Sequence, residues 1–89
     1  MLRDMSSSEP VTRLTFKAPS EGSIEVQFEP VGTLFTLTDG EPVTLQLPVS
    51  EVSEVEVVVW PEGGVSVWVP YRGDHYTVFD GDGREIDRL

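Results

Sequence analysis

The chain contains no cysteine and only one histidine among its 89 residues. Disulfides and thiolate zinc sites are therefore excluded, so the stability of the fold must come from the packing of apolar side chains. Long apolar runs are missing too: the longest is Val57-Val58-Val59-Trp60, whereas a membrane-spanning helix needs roughly 20 residues. Arg3 precedes no apolar segment typical of a secretory signal, which makes the cytoplasm the expected compartment.

Basic residues are scarce, with six Lys and Arg against sixteen Asp and Glu and a formal net charge of −10. None lies between Lys17 and Arg72, a stretch that holds nine carboxylates: Glu21, Glu25, Glu29, Asp39, Glu41, Glu51, Glu54, Glu56 and Glu62. Nucleic acids and anionic membranes both require a basic surface, so neither is expected as a partner. The charge favours a protein partner with a basic surface, although it also has the simpler effect of keeping a small β-protein soluble.

Most of the sequence alternates between apolar and polar residues, which predicts β-strands. The predicted strands are Val11–Lys17, Ser23–Glu29, Thr33–Thr38, Pro42–Leu47, a long hairpin over 54–69, Tyr76–Asp80 and Arg84–Leu89. Seven to eight short strands in about 80 residues predict an all-β fold, a small antiparallel β-sandwich, with a small β-barrel as the alternative. We expect one domain over 11–89 after a flexible tail over 1–10, in which Met5 could be the true start. The core of so small a domain could be supplemented in a homodimer.

The connections between strands carry further predictions. The five residues 18–22 contain a glycine and predict a hairpin between the first two strands. The segment 48–53 is the least regular part of the chain and could hold the crossover between two sheets. Val49 and Val52 are three residues apart, which is compatible with a short helical turn or with a loop.

In the long hairpin, the order of the valines predicts the register. Valines occupy the odd positions 55, 57, 59, 65, 67 and 69. A valine of one strand lies opposite a valine of the other only if odd-numbered residues pair with odd-numbered residues. A two-residue turn at Glu62-Gly63 does not give this pairing, whereas a three-residue connection such as Glu62-Gly63-Gly64 does. We expect these valines to line the core. Trp60 and Trp68 would then lie on the opposite face with Val58, Glu54 and Glu56, unless the hairpin is buried on both sides.

Three places could carry a site. The aromatic and acidic face of Trp60, Trp68, Glu54 and Glu56 is typical of a binding surface. The loop that contains Tyr71, Arg72, His75 and Tyr76 offers side chains that are common in recognition, although such a loop could simply join two strands. Asp80 and Asp82 suggest a weak calcium site, but Arg84 and Glu85 occupy the positions where an EF-hand-type loop needs a ligand and glycine, so a hairpin turn is the better interpretation.

No catalytic or cofactor motif is present, because His75 has no cysteine to activate and no serine in a nucleophile-elbow context. We therefore expect no enzyme and no cofactor. The favoured hypothesis is a non-catalytic interaction module that presents an acidic sheet face and an aromatic patch to a protein partner. A bacterial inhibitor or toxin-neutralising protein belongs to this class. The alternative is a carbohydrate-binding module that stacks sugars on exposed tryptophans. Mimicry of nucleic acid is disfavoured, because the charge density is only about half that of duplex DNA.

Overall fold

The structure, a computed structural model, describes residues 9–72 and 76–89 and contains two four-stranded β-sheets packed face to face. The strands are β1 (Val11–Lys17), β2 (Ser23–Glu29), β3 (Thr33–Thr38), β4 (Pro42–Pro48), β5 (Glu56–Trp60), β6 (Gly64–Trp68), β7 (Thr77–Phe79) and β8 (Glu85–Arg88), with a 3₁₀ helix over Val49–Glu54. Sheet 1 has the order β1-β4-β7-β8 and sheet 2 the order β3-β2-β6-β5. The predicted all-β sandwich of seven to eight strands is thus confirmed, and the sheets do not close into a barrel.

The core lies between the sheets and is built from alternate residues of the central strands. Val26 and Phe28 of β2, Leu45 of β4, Val67 of β6 and Val78 of β7 all have a relative exposure of 0%. Successive side chains of a strand point to opposite faces, so the period-two sequence pattern places these residues together inside. The ring of Phe28 meets Phe16 and Phe35 edge-on, with centroid distances of 6.1 and 5.9 Å.

The predicted hairpin between the first two strands is wrong, because these strands belong to different sheets. β1 pairs with β4, whereas β2 pairs with β3 and β6. The segment 18–22 instead crosses between the sheets beside a second crossing at 39–41. The Asp39 amide donates to the Gly22 carbonyl at 2.8 Å and the Gly40 amide to the Pro19 carbonyl at 2.7 Å. The two crossings therefore satisfy each other's backbone polar groups, an alternative to a hairpin that local sequence does not reveal.

The irregular segment after β4 is the expected crossover. It carries the chain from β4 in sheet 1 to β5 in sheet 2, which confirms the crossover. Of the two alternatives for its conformation, a short helical turn or a loop, it adopts the first, as the 3₁₀ helix. As a result β6 enters sheet 2 parallel to β2, with Val26 opposite Val65 and Phe28 opposite Val67. This pair is the one parallel pairing among the described strands.

The register predicted for the long hairpin is confirmed. Val57 lies opposite Val67, and Val59 lies opposite Val65. The connection has three residues, but it is Pro61-Glu62-Gly63, one position earlier than expected, because Trp60 pairs with Gly64. Gly63 adopts a φ of 90°, a left-handed conformation that costs glycine little.

The prediction that both valine rows line the core is correct for Val67 and Val69, which are buried, and for Val55 and Val65, which are partly buried against the core. It is wrong for Val57 and Val59. Val67 is fully buried, but Val57 and Val59 keep 44% and 75% of their surface exposed. The physical reason is that β5 is the outermost strand of sheet 2. Its inner face extends beyond the part of sheet 2 that sheet 1 covers. Alternation therefore identified the face correctly but could not identify the edge.

Residues 9 and 10 are attached to the sandwich. The Pro10 carbonyl accepts a hydrogen bond from the Val49 amide at 3.0 Å, and a Glu9 carboxylate oxygen accepts one from the Ser50 hydroxyl at 2.7 Å. Residues 1–8, the greater part of the expected tail, lie outside the described residues. Within the described ranges, no helix has the length and apolar character needed to cross a membrane.

Candidate functional site

The outer face of sheet 2, which points away from sheet 1, carries most of the predicted aromatic and acidic site. Trp68 of β6 lies opposite Glu56 of β5 and is aligned with Glu29 of β2 on its other side. Two rows further along the same face, beyond Ser66, Gly64 lies between Trp60 of β5 and Glu25 of β2. We call this surface the acidic face and define it by Glu25, Glu29, Glu56, Trp60 and Trp68.

Trp60 lies across β6 and is held there by two contacts. Its indole Nε1 donates a hydrogen bond to the Ser66 hydroxyl at 2.8 Å. Its ring covers Gly64 so closely that a Cβ atom at this position would lie 2.4 Å from the indole Cε3. Glycine at 64 is therefore required for this packing, and it leaves the indole half-buried with its polar N–H satisfied.

Substituting Gly64→Ala is expected to lower the free energy of unfolding by about 1–2 kcal/mol, because the added methyl group forces the Trp60 ring away from β6. Urea denaturation would measure the change. In a Trp60→Ala background the same substitution should cost less, since the ring that it displaces is absent, and the remaining cost comes from the Glu25 carbonyl oxygen, 2.9 Å from the added Cβ. An equal cost in both backgrounds would contradict the proposed packing.

Trp68 is the exposed aromatic residue of the acidic face, with 42% of its surface accessible. Its register neighbours on both sides are carboxylates, Glu29 and Glu56. Among the described residues of sheet 2 that point outward, none is Lys or Arg. An indole face between two carboxylates attracts a cation, because the ring quadrupole and both charges act in the same direction.

The expectation that Glu54 shares a strand face with Glu56 is wrong. Glu54 is the last residue of the 3₁₀ helix and forms a bidentate ion pair with Arg72, with distances of 2.7 and 2.5 Å. The hydrogen bond from Arg72 lowers the pKa of Glu54, and the same bond raises the pKa of Arg72. The ion pair forms because the chain returns after β6 and brings Arg72 to the end of the 3₁₀ helix.

The remaining loop residues form a second group, which is largely structural. Tyr76 is fully buried, and its hydroxyl donates a hydrogen bond to the buried carboxylate of Glu51. The same hydroxyl accepts a bond from the Arg72 amide at 3.1 Å. Burial, and then the bond to Glu51, raise the pKa of Tyr76. The side chain of Tyr76 is therefore an internal anchor and offers no exposed surface to a partner.

Tyr71, unlike Tyr76, is exposed. It stacks on Tyr76 with a centroid distance of 6.2 Å and an angle of 15° between the rings. Its φ of 57° is a left-handed conformation that is uncommon for a residue with a side chain. His75, also predicted as a site residue, lies outside the described residues.

The turn after β7 has the hairpin geometry that the sequence favoured. One carboxylate oxygen of Asp80 accepts hydrogen bonds from the amides of Asp82 and Arg84, both at 2.9 Å, and Gly83 has a φ of 80°. This oxygen is thus engaged within the turn itself. In the described part of the chain, no group of three or more His, Cys, Asp or Glu residues is placed to hold a metal ion.

The structure thus divides the predicted site residues between two places. Trp60, Trp68 and Glu56 lie on the acidic face, while Glu54, Tyr71, Arg72 and Tyr76 lie around the 3₁₀ helix. Sequence reasoning missed Glu25 and Glu29 as members of the face and Glu51 as the partner of Tyr76. The first two follow from the parallel pairing of β2 with β6, and no sequence signal identified Glu51. Comparison with models of protein families, with curated proteins and with solved structures finds no match to this chain.

Proposed function

We propose that this protein is a non-catalytic interaction module whose acidic face binds a protein partner with a basic surface. The observation that carries the proposal is the row Glu29–Trp68–Glu56, in which an exposed indole lies between two carboxylates. A Lys or Arg side chain of the partner would lie over the Trp68 ring and pair with the carboxylates on either side.

The charge distribution supports this function. A net charge of −10 and the lack of outward basic residues on sheet 2 give the face a single sign. Such a potential accelerates encounter with a cationic partner and excludes acidic ones. A neutralising protein of the inhibitor or antitoxin kind belongs to this class, since its partner is recognised by surface complementarity and no chemistry is required of the module.

The proposal is tested with a blocked peptide of alternating lysine and valine residues, titrated into the intact protein and followed by tryptophan fluorescence and by NMR shifts. Trp68→Ala is expected to weaken binding about tenfold, because it removes the aromatic surface beneath the cation. Glu56→Gln should weaken it about two- to fivefold. Affinity should fall as salt rises, since exposed charges are screened.

The matched control is Asp82→Asn, which removes the same charge in the β7–β8 turn of sheet 1. It should change the affinity by less than about twofold. Equal effects of Glu56→Gln and Asp82→Asn, or binding that is indifferent to salt, would contradict the proposal. A fluorescence response to a panel of glycans, with none to the basic peptide, would instead favour the carbohydrate-binding alternative.

A further inference from the structure

β5 has a free backbone edge along one side. It is the last strand of sheet 2 and pairs with β6 on its other side from Glu56 to Trp60. No described residue pairs with its free edge. The outward amide and carbonyl groups of an edge strand form a template for an additional strand.

The side chains of β5 are exposed on both faces. Val57 and Val59 on the inner face have relative exposures of 44% and 75%, and Val58 on the outer face has 45%. Three consecutive exposed valines are unusual for an edge strand, because natural edges are commonly protected by charges, prolines or a covering element. β5 carries none of these between Glu56 and Trp60.

The other three edges in the two sheets differ from β5. β1 carries the charges of Arg13 and Lys17, and β8 is a short strand with charged residues. β3 has no charge, but its inner face is covered, with Leu37 buried and Phe35 packed against Phe28. Only β5, among the described edges, combines three consecutive exposed valines with an uncovered inner face.

We propose that an extended segment of the basic partner adds to the free edge of β5 as a fifth strand of sheet 2. This inference rests on the proposed function and specifies how the partner is bound. Added strands gain affinity from main-chain hydrogen bonds and specificity from alternate side chains.

The two faces of β5 define the pattern of the segment. On the inner face, apolar side chains would lie beside Val57 and Val59 and cover the part of this face that is exposed to solvent. On the outer face, basic side chains would lie beside Glu56 and next to the Trp60 ring. The bound segment therefore alternates apolar and basic residues, the complement of β5 itself.

Charge favours such a segment over a second copy of this chain. Glu62 lies in the turn after β5, Glu56 begins the strand, and Arg72 is already paired with Glu54. A second copy would bring another −10 to this edge, whereas a basic strand is attracted to it.

The test uses the intact protein and the alternating lysine–valine peptide, with two matched comparisons. Val59→Lys places a charge on the free edge and is expected to weaken binding at least tenfold. Val11→Lys makes the same change at the exposed start of β1 and should alter affinity by less than about threefold. A peptide with every backbone amide methylated keeps its charge but has no amide left to donate at either edge, and should also bind at least tenfold more weakly.

Hydrogen exchange gives an independent readout. On peptide binding, alternate amides of β5 should gain protection, because they become donors to the new strand. If the methylated peptide binds equally well and β5 gains no protection, strand addition is overturned. If peptide affinity still falls in the Trp68→Ala and Glu56→Gln variants, the proposed function is supported even though strand addition is wrong.

The competing hypothesis is that a second copy of this chain binds the free edge of β5. Sedimentation of the protein alone should show a monomer at low and physiological salt. A dimer that Val59→Lys dissociates and Val11→Lys does not would show that a second copy occupies β5, and would overturn the inference.

Discussion

Replacing Phe28 with Ala is expected to lower the free energy of unfolding by about 3–5 kcal/mol. The side chain is fully buried between the sheets and packs edge-on against both Phe16 and Phe35. The loss combines three contributions: the transfer free energy of the removed ring, the cavity that it leaves behind, and the two aromatic contacts. A domain of this size has a total stability of only about 4–12 kcal/mol, so the variant should lose a large share of its stability. Urea denaturation measures the difference.

The control for this prediction is Val59→Ala on the same inner face of sheet 2. Val59 is 75% exposed, so its truncation should change stability by less than about 0.5 kcal/mol. A large loss at Val59 would mean that the inner face of β5 is covered in solution, by a second copy or by residues outside the described ranges.

Tyr76→Phe is expected to destabilise the protein by about 3 kcal/mol, although it removes a single oxygen atom. That oxygen donates to the buried Glu51 carboxylate and accepts from the Arg72 amide. Its loss leaves a buried charged group without this partner, and such a group costs more than an average hydrogen bond contributes. Thermal or urea unfolding of the single variant checks the value.

A double variant separates this effect from a general loss of packing. With Glu51→Leu added, the Tyr76→Phe protein should recover part of its stability, because the buried charge is replaced by an apolar side chain. If the double variant is less stable than either single variant by the sum of their losses, the two residues act independently and the proposed pair is wrong.

Alkaline pH provides a second check on Tyr76. Its pKa is raised in the folded protein above the ordinary value of 10.0, so the unfolded chain releases the phenolic proton first. The contribution of Tyr76 is therefore complete below about pH 10 and is lost as the pH rises through the folded pKa. The wild-type protein should lose stability in this range, and Tyr76→Phe should lack that component of the loss.

Local pattern was enough to predict the strands and the hairpin register. Alternation defines which side chains share a face. Because Val57, Val59, Val65 and Val67 all have odd numbers, they face one another only when odd-numbered residues of the two strands are paired. The face of Trp60 and Trp68 follows from the same parity. These predictions depend on residues close in sequence, whose relation is fixed by the geometry of one strand or one turn.

Predictions that depend on distant segments were less successful. The hairpin expected between β1 and β2 fails because β1 finds a better partner in β4, thirty-odd residues later in the chain. The ion pair of Glu54 with Arg72 and the bond of Glu51 with Tyr76 join residues 18 and 25 positions apart. Nothing in the local sequence of either partner specifies such contacts, because they are consequences of how the two sheets are assembled.

The parallel pairing of β2 with β6 has a consequence for biosynthesis. Glu25 is paired with Gly64, a separation of 39 residues (64 − 25), so the centre of sheet 2 cannot form until residues up to Trp68 have left the ribosome. Before that point β2 and β3 can make no more than an isolated hairpin, which is marginally stable in water. Closure of so long a loop should make folding slow for a protein of this length, in the millisecond-to-second range typical of β-sandwiches. The nascent chain must therefore keep its apolar strands from aggregating until β6 has left the ribosome.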